Sequence, residues 1–350
     1  MSIVVAPAPN VAAERRLLAD RIFRAALLFN TALTAFWAAV YLTGAKTMFF
    51  SQYAITRESL LRVAFGFLVF SVLWGLIWYG VKNLLLKCFV GMTKEERRRA
   101  FSSRMNAGYD VAPLVARYSE RRIRIADMIG RRGRFITLAS AAFYYLYASQ
   151  SANPSSGFAT GFTQDNLFDA VSGGWMFLAF YYSDGFVAAA VYGPQSRIMD
   201  GVLARANNLL ITTLWLVFKF VLVPLGAKLA QVYRPGEFAL VFALIWGSYI
   251  ACDACTEIGG SLFGRQTIRV WGVGDVNRKS IEGTLCGFAG SLALCLWVVL
   301  SRPLPASWIV LAVIISVSNT VLELCSPRGT DDLTMATSNA LICWVFGAIR

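Results

Sequence analysis

Histidine is absent from the 350 residues, which removes the commonest general base and metal ligand of proteins. Any chemistry must therefore run on carboxylates, Lys, Arg or the backbone. Charge is also scarce: 15% of residues are charged against 57% hydrophobic, and a mean hydropathy of +0.56 excludes an ordinary soluble domain. Zinc-ribbon spacing is missing, because the C-x-x-C of Cys252 and Cys255 has no second pair; these cysteines read as small apolar residues of a helix. The first 20 residues lack a long apolar core beside a small-residue cleavage site, which points to a short cytoplasmic tail rather than a signal peptide.

What the chain has instead is a series of apolar stretches near the ~20 residues that cross a bilayer as helix. They predict an all-α, polytopic integral membrane protein of about nine transmembrane helices, at 22–43, 60–81, 135–149, 173–192, 209–229, 237–252, 286–300, 307–324 and 335–349. The net charge of +13 would suggest a nucleic-acid partner in a soluble chain. Here the basic residues cluster between apolar spans, above all from Lys82 to Arg134, where retention on the cytoplasmic side explains them, so no nucleic-acid partner is expected. Within that loop 111–128 has apolar residues at helical spacing, which fits an amphipathic helix on anionic lipid or a solvated basic loop. Gln150 to Ser172 carries no Lys or Arg and reads as an outer loop. Counting spans from the basic loop then delivers Asp253–Leu285 and Ser326–Thr334 to the cytoplasmic face.

Those two stretches hold most of the remaining polar chemistry. The first combines Asp253, Glu257, Asp275 and Glu282 with Arg265, Arg269, Arg278 and Lys279 among many glycines, a mixture suited to a metal-bound polyphosphate. G-V-G-D-V-N-R-K-S is not a P-loop, since Arg278 stands where the second glycine belongs and no strand is expected before it. Lys279 and Ser280 can still neutralise and hydrogen-bond phosphate oxygens, and 280–283 opens a helix whose N-terminus favours anions; a basic re-entry loop with a helix cap is the plainer alternative. In the second stretch Asp331 and Asp332 lie close to Glu323, hard oxygen donors of the kind that hold Mg²⁺ beside substrate phosphates, though aspartates there also cap helices. Asn319 and Glu323 are four apart and share a helix face. Asp184 and Lys219 fall mid-span, where ionisable groups are costly: a mutual ion pair or an intramembrane substrate site accounts for them.

The order of these motifs carries a resemblance. An Asp closing a span, F-G-R at 263–265, N-R-K-S-I-E-G-T-L at 277–285 and E-L-C-S-P-R-G-T-D-D-L-T at 323–334 together resemble the CTP-dependent lipid-alcohol kinases: dolichol kinase, phytol kinase and the CTP-using diacylglycerol kinase. These are distant relatives of phosphatidate cytidylyltransferase (CDP-diacylglycerol synthase). The resemblance covers roughly 207–350; the chain departs from it at Asp332, where the family has asparagine. It implies a CTP-transferase-like catalytic region at 207–350, after a two-span N-terminal region with the basic loop (1–134) and a two-span connection (135–206). It further implies CTP as co-substrate with Mg²⁺, a lipid alcohol as acceptor, and an active site facing the cytoplasm. By position, Lys279, Glu282 and Asp253 take catalytic roles; Arg265, Arg278, Lys279, Ser280 and Gly283 bind nucleotide; and Asp331, Asp332 and Glu323 bind metal. Cytidylyl transfer to a lipid phosphate is the alternative in the same site, and a non-catalytic scaffold or transporter the alternative outside it.

Overall fold

The computed structural model describes residues 9–42, 57–101, 112–134, 137, 198, 225–226, 228–229, 231–270, 278–326 and 330–350. Two helices open the chain, α1 (Pro9–Leu42) and α2 (Arg57–Leu85), the second continuing through a π-helical turn, Leu86–Val90, that Gly91 ends at φ 87°. A side chain would be strained at that angle. Three shorter helices follow: α3 (Lys94–Phe101), α4 (Ala112–Arg117) and α5 (120–134). Thr93 and Glu96 start α3 as a capping box, the Glu96 side chain taking the Thr93 N–H at 2.8 Å and Thr93 Oγ1 taking the Glu96 N–H at 3.2 Å.

The C-terminal part is a bundle of four long helices. Phe238–Phe242, a π-helical turn Ala243–Gly247 and Ser248–Phe263 run on as one helix, α6. After a short antiparallel ladder of β1 (Thr267–Arg269) and β2 (Arg278–Ser280) come α7 (Ile281–Leu300), α8 (Ser307–Cys325) and α9 (Asp331–Ile349). Among the described residues five helical stretches are long and apolar enough to span a membrane: Val72–Val90, Leu240–Phe263, Ile281–Leu300, Ser307–Cys325 and Asp331–Ile349. The chain is thus a multi-pass membrane protein by its helices.

Lipid tails are as apolar as leucine, so close backbone approach rather than hydrophobic burial holds such a bundle. The α6–α7 contact is built that way. A Cβ on Gly283 would lie 2.8 Å from the Thr256 carbonyl oxygen and one on Gly287 3.0 Å from that of Cys252, while Gly290 faces Cys255. Cys252 and Cys255 therefore serve as small packing residues on α6. Behind them Asn319 of α8 donates to Ser248 (2.9 Å) and Ser291 (3.2 Å), and Asn339 of α9 donates to Ser248 and the Ile245 carbonyl oxygen (both 3.1 Å). This buried network ties all four helices. At the end remote from Asp253, Trp308 is fully buried between Tyr233 and Phe346, with the Arg350 guanidinium 5.0 Å from the Trp308 and Tyr233 ring centres.

The described residues are mostly helical, as expected, and the one addition is the short β1–β2 ladder at the loop that carries Lys279. Several expectations are corrected. The second span does not stop at Val81: Lys82 is buried against Asp127 at 2.8 Å, so its charge does not end the helix. The sixth does not stop at Cys252 either, because the charges of Asp253 and Glu257 are met by arginines and the helix continues to Phe263. Helix α5 is not a solvated loop: it is helical and packs one face on protein, with Ile123, Ala126, Asp127 and Gly130 buried. The expected spans at 135–149, 173–192 and most of 209–229, with Asp184 and Lys219, lie outside the described residues.

Candidate functional site

Three of the long helices bring carboxylates together. Asp253 lies in the middle of α6, Glu323 in the last turn of α8 and Asp331 at the first position of α9, and one carboxylate oxygen from each lies within 4.8 Å of the others. Three hard oxygen donors at that spacing fit a divalent cation. Glu323 is 5% exposed, and its Oε2 has no hydrogen-bond partner. A buried carboxylate oxygen left this way is costly unless something cationic meets it.

Lys279 reaches the same point from the ladder. Its register opposite Ile268 separates it from Ser280, whose pleat direction is opposite. The ammonium donates to Glu323 Oε1 at 2.7 Å and to the Glu323 carbonyl oxygen, so it also satisfies one of the orphan carbonyls that end α8. Ser280 is the N-cap of α7, its Oγ accepting the Gly283 N–H at 3.1 Å. Gly283 itself is buried against Thr256 and Gly260. Both residues are used in building the helix start, which leaves the anion-favouring end of α7 facing the polar region.

The structure thus joins Asp253, Lys279, Glu323 and Asp331. Asp332, expected among the metal ligands, is exposed and stands outside the triad, its place taken by Asp253. Glu282 accepts from the Gln266 N–H at 3.3 Å, and with Arg265 it lines a separate cleft. Arg278 is paired with Arg269 in the ladder; Asp275 lies outside the described residues.

Two arginines that sequence reasoning assigned only to topology complete the site. Helix α5 runs antiparallel to α6, with Arg121 donating to the Leu262 carbonyl oxygen at 2.8 Å and Arg132 reaching Asp253. Arg132 spans both Asp253 oxygens, Nη1 to Oδ2 and Nη2 to Oδ1 (the latter 2.6 Å), while its Nε donates to Glu257 Oε2. Arg131 donates to that same Glu257 oxygen. Burial disfavours the charged Arg132 guanidinium, but Asp253, Glu257 and Asp332 outweigh it and hold its pKa above the ordinary arginine range. The signal available in sequence was the pairing of two carboxylates four apart on one helix face, 253 and 257, with an adjacent R-R on another.

About two to three turns beyond, α5 and the end of α6 enclose a cleft of about 670 Å³, lined by Arg121, Arg124, Phe263, Arg265 and Glu282 among others. Its three guanidinium groups suit a phosphate-bearing ligand. No family model, no curated protein and no solved structure matches the chain.

Proposed function

We propose that the protein is a membrane transferase that moves the γ-phosphoryl group of CTP to the hydroxyl of a lipid alcohol at the cytoplasmic face. The observation that carries the reading is convergence: three motifs far apart in sequence, around 253–265, 279–283 and 323–334, supply one carboxylate triad with a lysine beside it. Cation retention by the basic segment 94–134 supports the cytoplasmic side.

Asp253, Glu323 and Asp331 would hold Mg²⁺, which when bound supplies charge neutralisation at the nucleotide phosphates. Lys279 lies beside the triad to stabilise charge on the transferring group, and Arg265 with the cleft arginines would receive the rest of the nucleotide. The acceptor oxygen forms a bond to the γ-phosphorus as the bond to the β-phosphate oxygen breaks; CDP leaves and the hydroxyl proton passes to a carboxylate. The candidate acceptors are Asp253, a member of the triad, and Glu282, which lines the cleft. Such transfers depend on positioning and electrostatics more than on a strong base.

Incubation of the purified chain with α- and γ-labelled CTP over polyprenol, phytol, diacylglycerol and phosphatidate tests the reading. Label from the γ-position in the lipid is expected. Label from the α-position, with pyrophosphate released, would replace it with cytidylyl transfer, and no consumption of CTP with any lipid would favour a scaffold or transporter.

A further inference from the structure

Arg132 holds the one carboxylate of the triad that α6 contributes. Both Asp253 oxygens accept from a single guanidinium, and the same side chain uses its Nε on Glu257. Bidentate pairing of this kind is among the stronger charge-assisted contacts, and the pair is largely shielded, with the Arg132 and Asp253 side chains 10% and 15% exposed. A divalent cation at the triad would therefore share Asp253 with a positive charge already in place. Among the described residues, the carboxylates of Asp253, Glu257, Glu323 and Asp331 face the cations Arg131, Arg132 and Lys279, so the cluster is acidic overall. The buried Glu323 Oε2, which has no hydrogen-bond partner, is the oxygen a divalent cation would meet.

A guanidinium fork matches a phosphate as well as it matches a carboxylate. We propose that Arg132 is an exchangeable counter-ion: it holds Asp253 while the site is without substrate, and turns to the polyphosphate when a divalent cation takes Asp253. Resting on the reading of this site as one for a cation and a nucleotide, the inference adds that the two bind cooperatively, each removing an obstacle to the other. Linkage then requires the coupling to be equal from either side. Arg131, held on Glu257, stays as the anchor of α5 to α6 during the exchange.

The consequence is opposite to that of a structural brace. Arg132→Gln removes the competing charge, so Mn²⁺ without nucleotide should bind at least about tenfold tighter than to the wild type, while binding of labelled CTP at saturating Mn²⁺ should fall about tenfold or more. Arg132→Lys keeps the charge but cannot span both Asp253 oxygens; its Mn²⁺ affinity should lie between the two, about threefold above wild type, and it keeps the test alive should the Gln variant not fold. The measurements are electron paramagnetic resonance titration of Mn²⁺ and filter binding of CTP on the full chain in lipid nanodiscs. Equal or weaker Mn²⁺ binding in both variants overturns the exchange, as does unchanged CTP binding in Arg132→Gln. Loss of Mn²⁺ binding in Glu323→Gln but no CTP binding by any protein would instead leave the exchange partner a different polyphosphate and remove the nucleotide reading; inorganic tripolyphosphate, displaced by neither CTP nor ATP, is then the ligand that weakens in Arg132→Gln.

Discussion

Lys279 and Glu323 form a partly buried pair at 2.7 Å, with side-chain exposures of 21% and 6%. Removing one partner of such a pair leaves an uncompensated charge, at a cost of about 3–5 kcal/mol, whereas removing both charges together is far milder. Lys279→Ala should therefore lower thermal stability, and Lys279→Ala/Glu323→Gln should recover most of it. Glu323 is itself a triad ligand, so the double variant reads stability alone. A phosphoryl-transfer role for the lysine predicts transfer from CTP about 10²–10³-fold down in Lys279→Ala with Mn²⁺ binding retained, the size expected when one aligned charge at the reacting group is lost. Melting curves on both variants, with initial rates and Mn²⁺ titration on Lys279→Ala, check the two expectations.

Glycine has a different meaning in each helix that carries it. A Cβ added to Gly80 of α2 would meet nothing within 4 Å, whereas one at Gly283 of α7 would meet backbone on two sides, the Thr256 carbonyl oxygen at 2.8 Å and Gly260 Cα at 3.0 Å. Backbone cannot rotate away as a side chain can. Gly80→Ala should stabilise the protein by about 0.4–1 kcal/mol through the lost freedom of the unfolded chain. Gly283→Ala should destabilise it by about 1–3 kcal/mol, the usual cost of overpacking. Because Gly283 lies three residues after Ser280 and four after Lys279, the same substitution should also displace the lysine from Glu323, so a fall in activity beyond that of equally destabilising core variants is expected. Differential scanning calorimetry of both variants against wild type checks the signs.

Over the whole molecule, hydropathy marked most of the described spans, and charge order marked which ends carry the chemistry, because both depend on local composition. Span limits failed where a charge is neutralised by a residue distant in sequence: Lys82 by Asp127, Asp253 by Arg132. Nothing within a hydropathy window reports such a partner. Asp331, Glu323, Asp253 and Lys279 were legible as site residues because their types suit the chemistry. Arg131 and Arg132 were not, since a basic run between spans already has a sufficient explanation in topology. Those same partnerships link the two halves of the chain, α2 to α5 through Lys82–Asp127 and α5 to α6 through Arg132–Asp253. Asp127 also takes the Ile198 N–H at 2.7 Å, so its side chain gathers three segments. Lys82→Met alone should cost about 3–5 kcal/mol, as it strands a buried carboxylate. Lys82→Met/Asp127→Asn keeps an acceptor for Ile198 and removes the stranded charge, and should regain most of that loss. If α5 is positioned for the site through this link, Lys82→Met should also lower CTP affinity with little change in the pH profile of the reaction, and the double variant should restore it. A stability loss with CTP affinity untouched would show that the contacts of Arg121, Arg131 and Arg132 hold α5 in place without it.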